Sequence, residues 1–284
     1  MATKFRLGLE IPAFGALAAS RASRLGATRI ELNAEGSYGE GGLTPSFEEL
    51  KMTDVSCPLR IMIRPRGPPR ISSSSEASAV GIRDFQYSDE EFEEMSASVK
   101  IFRDSGLLDM SRGDGFVFGI LEEEGRANDE GWTGRRRCWV DKKRCTRLVQ
   151  AARPFKCVFH RAFDEIVSCD EVSPGKPKPA RPSWETGLED VAACGFDGIL
   201  TSGGLGRAID NLETLGPVIK RARGLGVEII IGGGVRTANI GEIRERLALQ
   251  EIADSVYLHS ACLGGDGSEH INHEEVEGIL AQLK

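Results

Sequence analysis

Seven cysteines are spread over 284 residues, and no two of them are spaced as CxxC. Cys57, Cys138, Cys145, Cys157, Cys169, Cys194 and Cys262 give no zinc-site signal, and their scatter suits thiols kept reduced. No apolar run approaches the ~20 residues of a membrane helix. The opening MATKFRLGLEI lacks the basic, apolar and small-residue order of a secretory signal, so a cytoplasmic location is expected. Positive charge is not in surplus either. Lysine and arginine total 36 against 43 acidic residues, a formal net charge of −7, which argues against a general nucleic-acid or anionic-membrane surface. No P-loop and no recognisable serine–histidine–aspartate order is present.

What remains is an ordinary globular balance, 40% apolar and 28% charged. Eight short β-rich runs recur: FRLGLEI (5–11), TRIEL (28–32), LRIMIR (59–64), GFVFGIL (115–121), CVFH (157–160), DGILTS (197–202), VEIIIG (227–232) and DSVYLH (254–259). Several are apolar almost throughout, as parallel strands covered on both faces should be. Stretches with helical spacing lie between them. Before Phe92, Met95, Val99 and Phe102 on one face, Ser88 and Glu91 read as a capping box. Thr44 reads as the cap of a helix beginning at Pro45. The pattern predicts an α/β fold, a (β/α)₈ TIM barrel in one domain over 1–284. A doubly wound sheet would need a glycine-rich turn after the first strand, and EIPAFGA is a poor one. Serine-rich 68–84, charged 122–137 and proline- and lysine-rich 168–184 read as inserted mobile loops. The arginines at 135–137 sit among acids, which suits a solvated loop better than a nucleic-acid patch.

Barrels of this kind keep their chemistry at the C-terminal ends of the strands. Those ends are strongly polar here: Glu10; Glu31 and Asn33; Arg64 and Arg66; His160, Arg161 and Asp164; Thr201, Ser202, Gly203 and Gly204; Gly232, Gly233 and Gly234; His259 and Ser260. Glu10, Glu31, His160 and Asp164 are the candidate acid–base residues. Arg64, Arg66, Arg161, Thr201, Ser202, Gly203, Gly233 and Gly234 are the candidate anion binders. TSGG and GGGV each follow a strand and precede a helix, so their backbone N–H groups can cradle an anion. The alternative reading is structural: Glu10 and Glu31 pair with arginines to close the barrel mouth, His160 is a satisfied core histidine, Asp164 caps the next helix, and the glycines only permit tight turns.

Taken in order, RIEL with EGGLTPS, IMIRPRG, YSDEEFEEM, DGFVFGIL, FHRAFD, GFDGILTSGG and IIIGGGV resemble the CutC family of copper homeostasis proteins, across nearly the whole chain apart from the three insertions. The resemblance implies a (β/α)₈ barrel that self-associates as a homo-oligomer, is linked to copper tolerance and binds copper(I). Its rim residues fall on Glu10, Glu31, Arg64, Arg66, His160, Arg161, Asp164, Thr201 and Ser202. Cysteines that many animal members carry after the first two strands are replaced by Pro12 and Asn33, neither of which offers soft sulfur. The family's histidine usually precedes the last strand's serine by two positions. Here His259 directly precedes Ser260, and a one-residue shift is expected to turn it away from the site. Met62 and Cys157 are expected to fill the core, and Cys262 lies just past the last strand.

Three functions are consistent with these residues. One is a copper-binding homeostasis protein, with the metal ligands unassigned. Another is an enzyme acting on a small anionic, possibly phosphorylated, metabolite, with Glu10 or Glu31 as base, His160 as acid and Arg64 and Arg161 as clamps. The third is a scaffold whose rim network only holds the barrel shut.

Overall fold

The computed structural model describes residues 7–69, 83–124, 137–170, 180–265 and 267–283. Its strands are β1 (Gly8–Phe14), β2 (Arg29–Asn33), β3 (Leu59–Met62), β4 (Gly115–Phe118), β5 (Leu121–Glu123), β6 (Cys138–Val140), β7 (Lys156–Phe159), β8 (Gly198–Thr201), β9 (Glu228–Ile231) and β10 (Val256–His259). Its helices are α1 (Ala16–Arg24), α2 (Phe47–Met52), α3 (Asp89–Asp104), α4 (Lys142–Ala152), α5 (Ala162–Val167), α6 (Ser183–Cys194), α7 (Leu212–Leu225), α8 (Ile240–Arg246) and α9 (His273–Gln282). Eight parallel strands close in the order β1-β10-β9-β8-β7-β4-β3-β2, the (β/α)₈ barrel expected from the eight runs. The remaining two, β5 and β6, pair as an antiparallel ribbon on either side of the charged insertion. Of the three insertions, residues 70–82, 125–136 and 171–179 lie outside the described residues.

The helices start where local chemistry satisfies their first N–H groups. At α3, Ser88 accepts from Glu91 N while the Glu91 carboxylate accepts from Ser88 N, the expected capping box. At α2 the cap is Ser46, not Thr44. Ser46 has Glu49 three residues on and makes the reciprocal pair, whereas Thr44 Oγ1 accepts from Arg64 N at 2.8 Å and ties β2's loop to β3. Asp164 is no cap either. It lies inside α5, and its carboxylate reaches across to β8.

Apolar side chains divide between two cores. The larger one fills the layer between strands and helices, with Leu9, Ile11, Ile30, Leu32, Phe116, Phe118 and Phe159 inaccessible to solvent. A small one fills the barrel interior with Met62, Val117, Val158, Leu200 and Ile230, and Tyr257 packs on it. That apolar interior comes from β3, β4, β7, β8 and β9. The side supplied by β1, β2 and β10 is charged instead.

Glu10 is the register partner of Arg29 on one side and of His259 on the other, so all three occupy one rung of the barrel. Arg29 Nε donates to Glu10 Oε2, Arg29 Nη1 lies 2.8 Å from Glu228 Oε1, and the guanidinium sits 3.7 Å over the Tyr257 ring. Arg29 is 2% exposed and Glu10 1%, so the pair is stable only because each charge answers the other. Replacing Arg29 by Met leaves Glu10 ionised, buried and unanswered by its chief partner. We expect the Arg29→Met protein to lose roughly 3–5 kcal/mol of unfolding free energy in urea titrations. A change within about 0.5 kcal/mol, the size of an ordinary surface substitution, would show that the barrel does not need this pair.

Candidate functional site

A cavity of about 520 Å³ opens at the C-terminal ends of the strands, where the fold predicts one. Its floor is the charged side of the interior. His259 Nδ1 lies 2.7 Å from Glu10 Oε1, and Asn33 Nδ2 donates to Glu31 Oε1 at 3.1 Å. Burial alone would raise the pKa of Glu10, but Arg29 and then His259 outweigh it and hold the group down at about 2. Glu31 moves the other way: burial first, and then the charge of Glu10, raise its pKa against the pull of His259 and Asn33. His259 is raised as well. Burial lowers its pKa, and the bond to Glu10 and the charge of Glu31 overcome that. Among the described residues, Glu31 Oε2 is buried with no hydrogen-bond partner. One ligating atom from each of Glu10, Glu31 and His259 lies within 4.8 Å of the other two.

His259 therefore belongs to the site, and the expectation that it faces away is corrected. Val256 and Leu258 face the helix layer, while Tyr257 and His259 face the interior. The alternation of apolar and polar residues in VYLH was the available signal, and it depends on this strand's own phase.

The opposite wall carries His160, Arg64 and Phe85. His160 Nδ1 accepts from Ala162 N at 3.2 Å, which places the imidazole proton on Nε2. Nε2 is buried without a partner among the described residues, and the ring packs 4.5 Å from that of Phe85. Burial, followed by the charge of Arg64, lowers the pKa of His160 to about 3. The residue is thus a neutral imidazole at physiological pH, carrying its proton on Nε2. Arg64 lines the cavity but is already held: Nη2 binds both oxygens of Asp84 at 2.9 and 3.1 Å, and Nη1 donates to the carbonyls of Glu40 and Gly42. Arg66 does not line the cavity. Its Nε lies 2.6 Å from Glu91, so it supports the start of α3 instead.

The anion cradle expected at TSGG is built, and the protein supplies its anion. Asp164 Oδ1 accepts from Thr201 Oγ1 at 2.5 Å, Ser202 N at 3.0 Å and Gly204 N at 3.4 Å. Asp164 Oδ2 accepts from Arg161 Nε at 2.7 Å and Ser202 Oγ at 2.9 Å. Gly203 N donates to Thr201 Oγ1, completing the knot. Asp164, Thr201, Ser202 and Gly203 are therefore positioning residues that hold the β8 loop, and Arg161, bonded also to Ser202 Oγ, is part of that knot while reaching the cavity wall. Gly233 and Gly234 do line the cavity. At Gly233, φ is +93° and a Cβ would stand 2.7 Å from that of Ser202, so only glycine fits. Next to them is Arg236, which the sequence reading passed over. Among the described residues its guanidinium has no carboxylate within ion-pair distance and donates to the Leu263 carbonyl.

The buried, neutral state of His160 carries a pH signature. Between its folded pKa of about 3 and its ordinary value of 6.5, the unfolded chain binds a proton that the folded chain does not. Stability from this group is complete above pH 6.5 and is lost as the pH falls toward 3. We expect His160→Gln to remove about 2 kcal/mol of the stability difference between pH 7 and pH 5 measured by urea unfolding. Parallel pH profiles for the two proteins would contradict this assignment.

Residues 9–257 match the sequence profile of the CutC family. A CutC family protein of Treponema denticola is 32% identical over 233 residues, covering 81% of this chain and 74% of that protein. The human protein named copper homeostasis protein cutC homolog is 33% identical over 229 residues, covering 80% of this chain and 65% of the human one. The crystal structure of a CutC protein from Streptococcus agalactiae superposes with a TM-score of 0.61 at 22% identity, covering 89% of this chain and 98% of that one, and shares its barrel fold. With a family match over most of its length and relatives above 30% identity, this chain belongs to the CutC family.

Proposed function

We propose that the protein acts in copper homeostasis and holds a copper ion at the floor of the barrel mouth, with Glu10, Glu31 and His259 as ligands. The observation that carries this reading is the convergence of the three ligating atoms within 4.8 Å, with Glu31 Oε2 buried and unpartnered beside them. Two carboxylates and an imidazole are hard and borderline donors, which suit copper(II) better than copper(I). The positions where relatives carry cysteine are Pro12 and Asn33, and among the described residues the only sulfur lining the cavity is the thioether of Met62. The surroundings raise the pKa of both Glu31 and His259, and a cation competes with protons for these groups, so binding should tighten as pH rises. A cytoplasmic location and self-association belong to the same reading. The first is supported by seven cysteines without a disulfide, the second by the family.

Copper(II) titrated into the protein should bind at one ion per chain and give an electron paramagnetic resonance spectrum with nitrogen coupling. Glu31→Gln and His259→Gln should each weaken it by more than the roughly 10–100-fold that losing a supporting partner costs. Unchanged affinity in both variants would remove the site.

A second reading is supported by Arg236 beside Gly233 and Gly234, at the quarter of the rim where such barrels bind phosphate. Here the ligand is a small anionic metabolite. Glu31, whose pKa is raised by burial and by the charge of Glu10, supplies the acid, and His160 Nε2–H donates a hydrogen bond. Phosphate or a dicarboxylate should then raise the melting temperature, and Arg236→Ala should abolish the shift. No shift with any anion would dismiss this reading.

A further inference from the structure

Two cysteines far apart in sequence meet on the flank of the barrel. Cys138 opens β6, and Cys169 lies in the short turn of 3₁₀ helix that follows α5. Their Sγ atoms are 3.5 Å apart, and the Cys138 N–H donates to Cys169 Sγ at 3.3 Å. Cys138 is buried and Cys169 half-buried, so the second sulfur is the one open to a reagent from solvent. Arg83 lies beside both sulfurs, and Glu123 at 3.1 Å and Glu165 at 3.6 Å hold its guanidinium. Glu123 is the ladder partner of Cys138, so the ribbon of β5 and β6 fixes one side of the cluster. The copper and anion readings of the barrel mouth use neither thiol.

We propose that Cys169 is a site of attack on hydroperoxides, with Cys138 as its resolving thiol, so that the pair turns over between dithiol and disulfide. In the first step the Cys169 thiolate attacks the terminal oxygen of the hydroperoxide, ROOH. An S–O bond forms, the O–O bond breaks, and the departing alkoxide takes a proton from solvent and leaves as ROH. In the second step Cys138 attacks the sulfur of the Cys169 sulfenic acid. An S–S bond forms, the S–O bond breaks, and hydroxide leaves with the Cys138 proton as water. The two sulfurs give up two electrons, and the peroxide takes both. A small dithiol returns the pair to its reduced form by exchange. A disulfide bond is about 2.05 Å long, so the sulfurs have only about 1.5 Å to close.

The other thiols show what sets this one apart. Burial raises the pKa of Cys57, Cys145, Cys157, Cys194 and Cys262, which favours the unreactive thiol form. Cys169 moves the opposite way. A hydrogen bond from the Cys138 thiol lowers its pKa against burial, and the Cys138 N–H and Arg83 add to this, bringing it to about 6. The same contact, and then burial, raise that of Cys138, so the first thiolate forms on the more accessible sulfur. Cys57 is the internal control. It is half-buried like Cys169, but its sulfur lies 3.8 Å from the hydroxyl of Ser23.

The test treats the fully reduced protein with tert-butyl hydroperoxide in the presence of a metal chelator. The chelator removes metal-catalysed oxidation and makes the result independent of the copper reading. The expected result is the loss of two thiols for each hydroperoxide consumed, with a linked Cys138–Cys169 peptide in mass spectra of the non-reduced digest. Dithiothreitol should restore both thiols. Cys138→Ser should stop the reaction at a Cys169 sulfenic acid, which dimedone traps, and Cys169→Ser should leave Cys138 unoxidised. Cys57→Ser should change neither the rate nor the linked peptide. The unmodified protein supplies the deciding readout, which needs no variant to fold. Oxidation first at Cys57 or at any of the other thiols would overturn the proposal, as would a pair that diamide links but hydroperoxide does not. So would a Cys169→Ser protein in which hydroperoxide still oxidises Cys138 rapidly, which would put the attacking sulfur on the other residue.

Discussion

The site rests on a buried ion pair. A carboxylate inside a barrel is stable only if a cation answers it, and Arg29 answers Glu10 from the neighbouring strand on the same rung. Because Glu10 is thereby held ionised, it orients His259 through Nδ1, and its negative charge adds to burial in raising the pKa of Glu31. One interaction at the bottom of the mouth thus shifts the titration of the two groups above it, Glu31 and His259. The apolar patch from Met62 round to Ile230 fills the rest of the interior, and Glu228 of β9 and Arg60 of β3 add their charges to the Glu10–Arg29 pair.

The remainder of the rim is built to hold its shape. Asp164 fills the backbone cradle of the β8 loop, Arg64 is clamped between Asp84 and two carbonyls, and Arg66 supports α3. Several residues that read as ligand binders from their positions are spent on one another. Among the described residues, the cavity-lining side chains with a buried polar atom that lacks a partner are Glu31 (Oε2), Asn33 (Oδ1), Arg64 (Nε) and His160 (Nε2). A pocket with a fixed wall and a few uncommitted polar atoms is what selective recognition of a small ligand requires.

The eight barrel strands were legible because parallel strands buried on both faces must be nearly continuous apolar runs, and most of the runs ended in polar residues at the mouth. Glu10, Glu31 and His160 were legible for the same reason. His259 was not, since judging its facing from Ser260 ignored the alternation Val256, Tyr257, Leu258, His259 that the strand itself displays. Asp84, the partner of Arg64, follows a long insertion, and its return to β3 has no local pattern. The knot of Asp164 with Thr201 and Ser202 and the meeting of Cys138 with Cys169 join residues 31 or more apart. Such contacts follow from closure of the barrel and the packing of its loops, which spacing along the chain does not encode.

The central claim is that the charged floor of the mouth is a metal-binding site. Its most direct measurement is a crystal structure of the protein soaked in copper(II), with anomalous diffraction collected on both sides of the copper absorption edge. The account predicts a single strong anomalous peak within bonding distance of a Glu31 oxygen and an imidazole nitrogen of His259. A mouth without such a peak, under conditions where solution titration shows copper(II) bound, would contradict it.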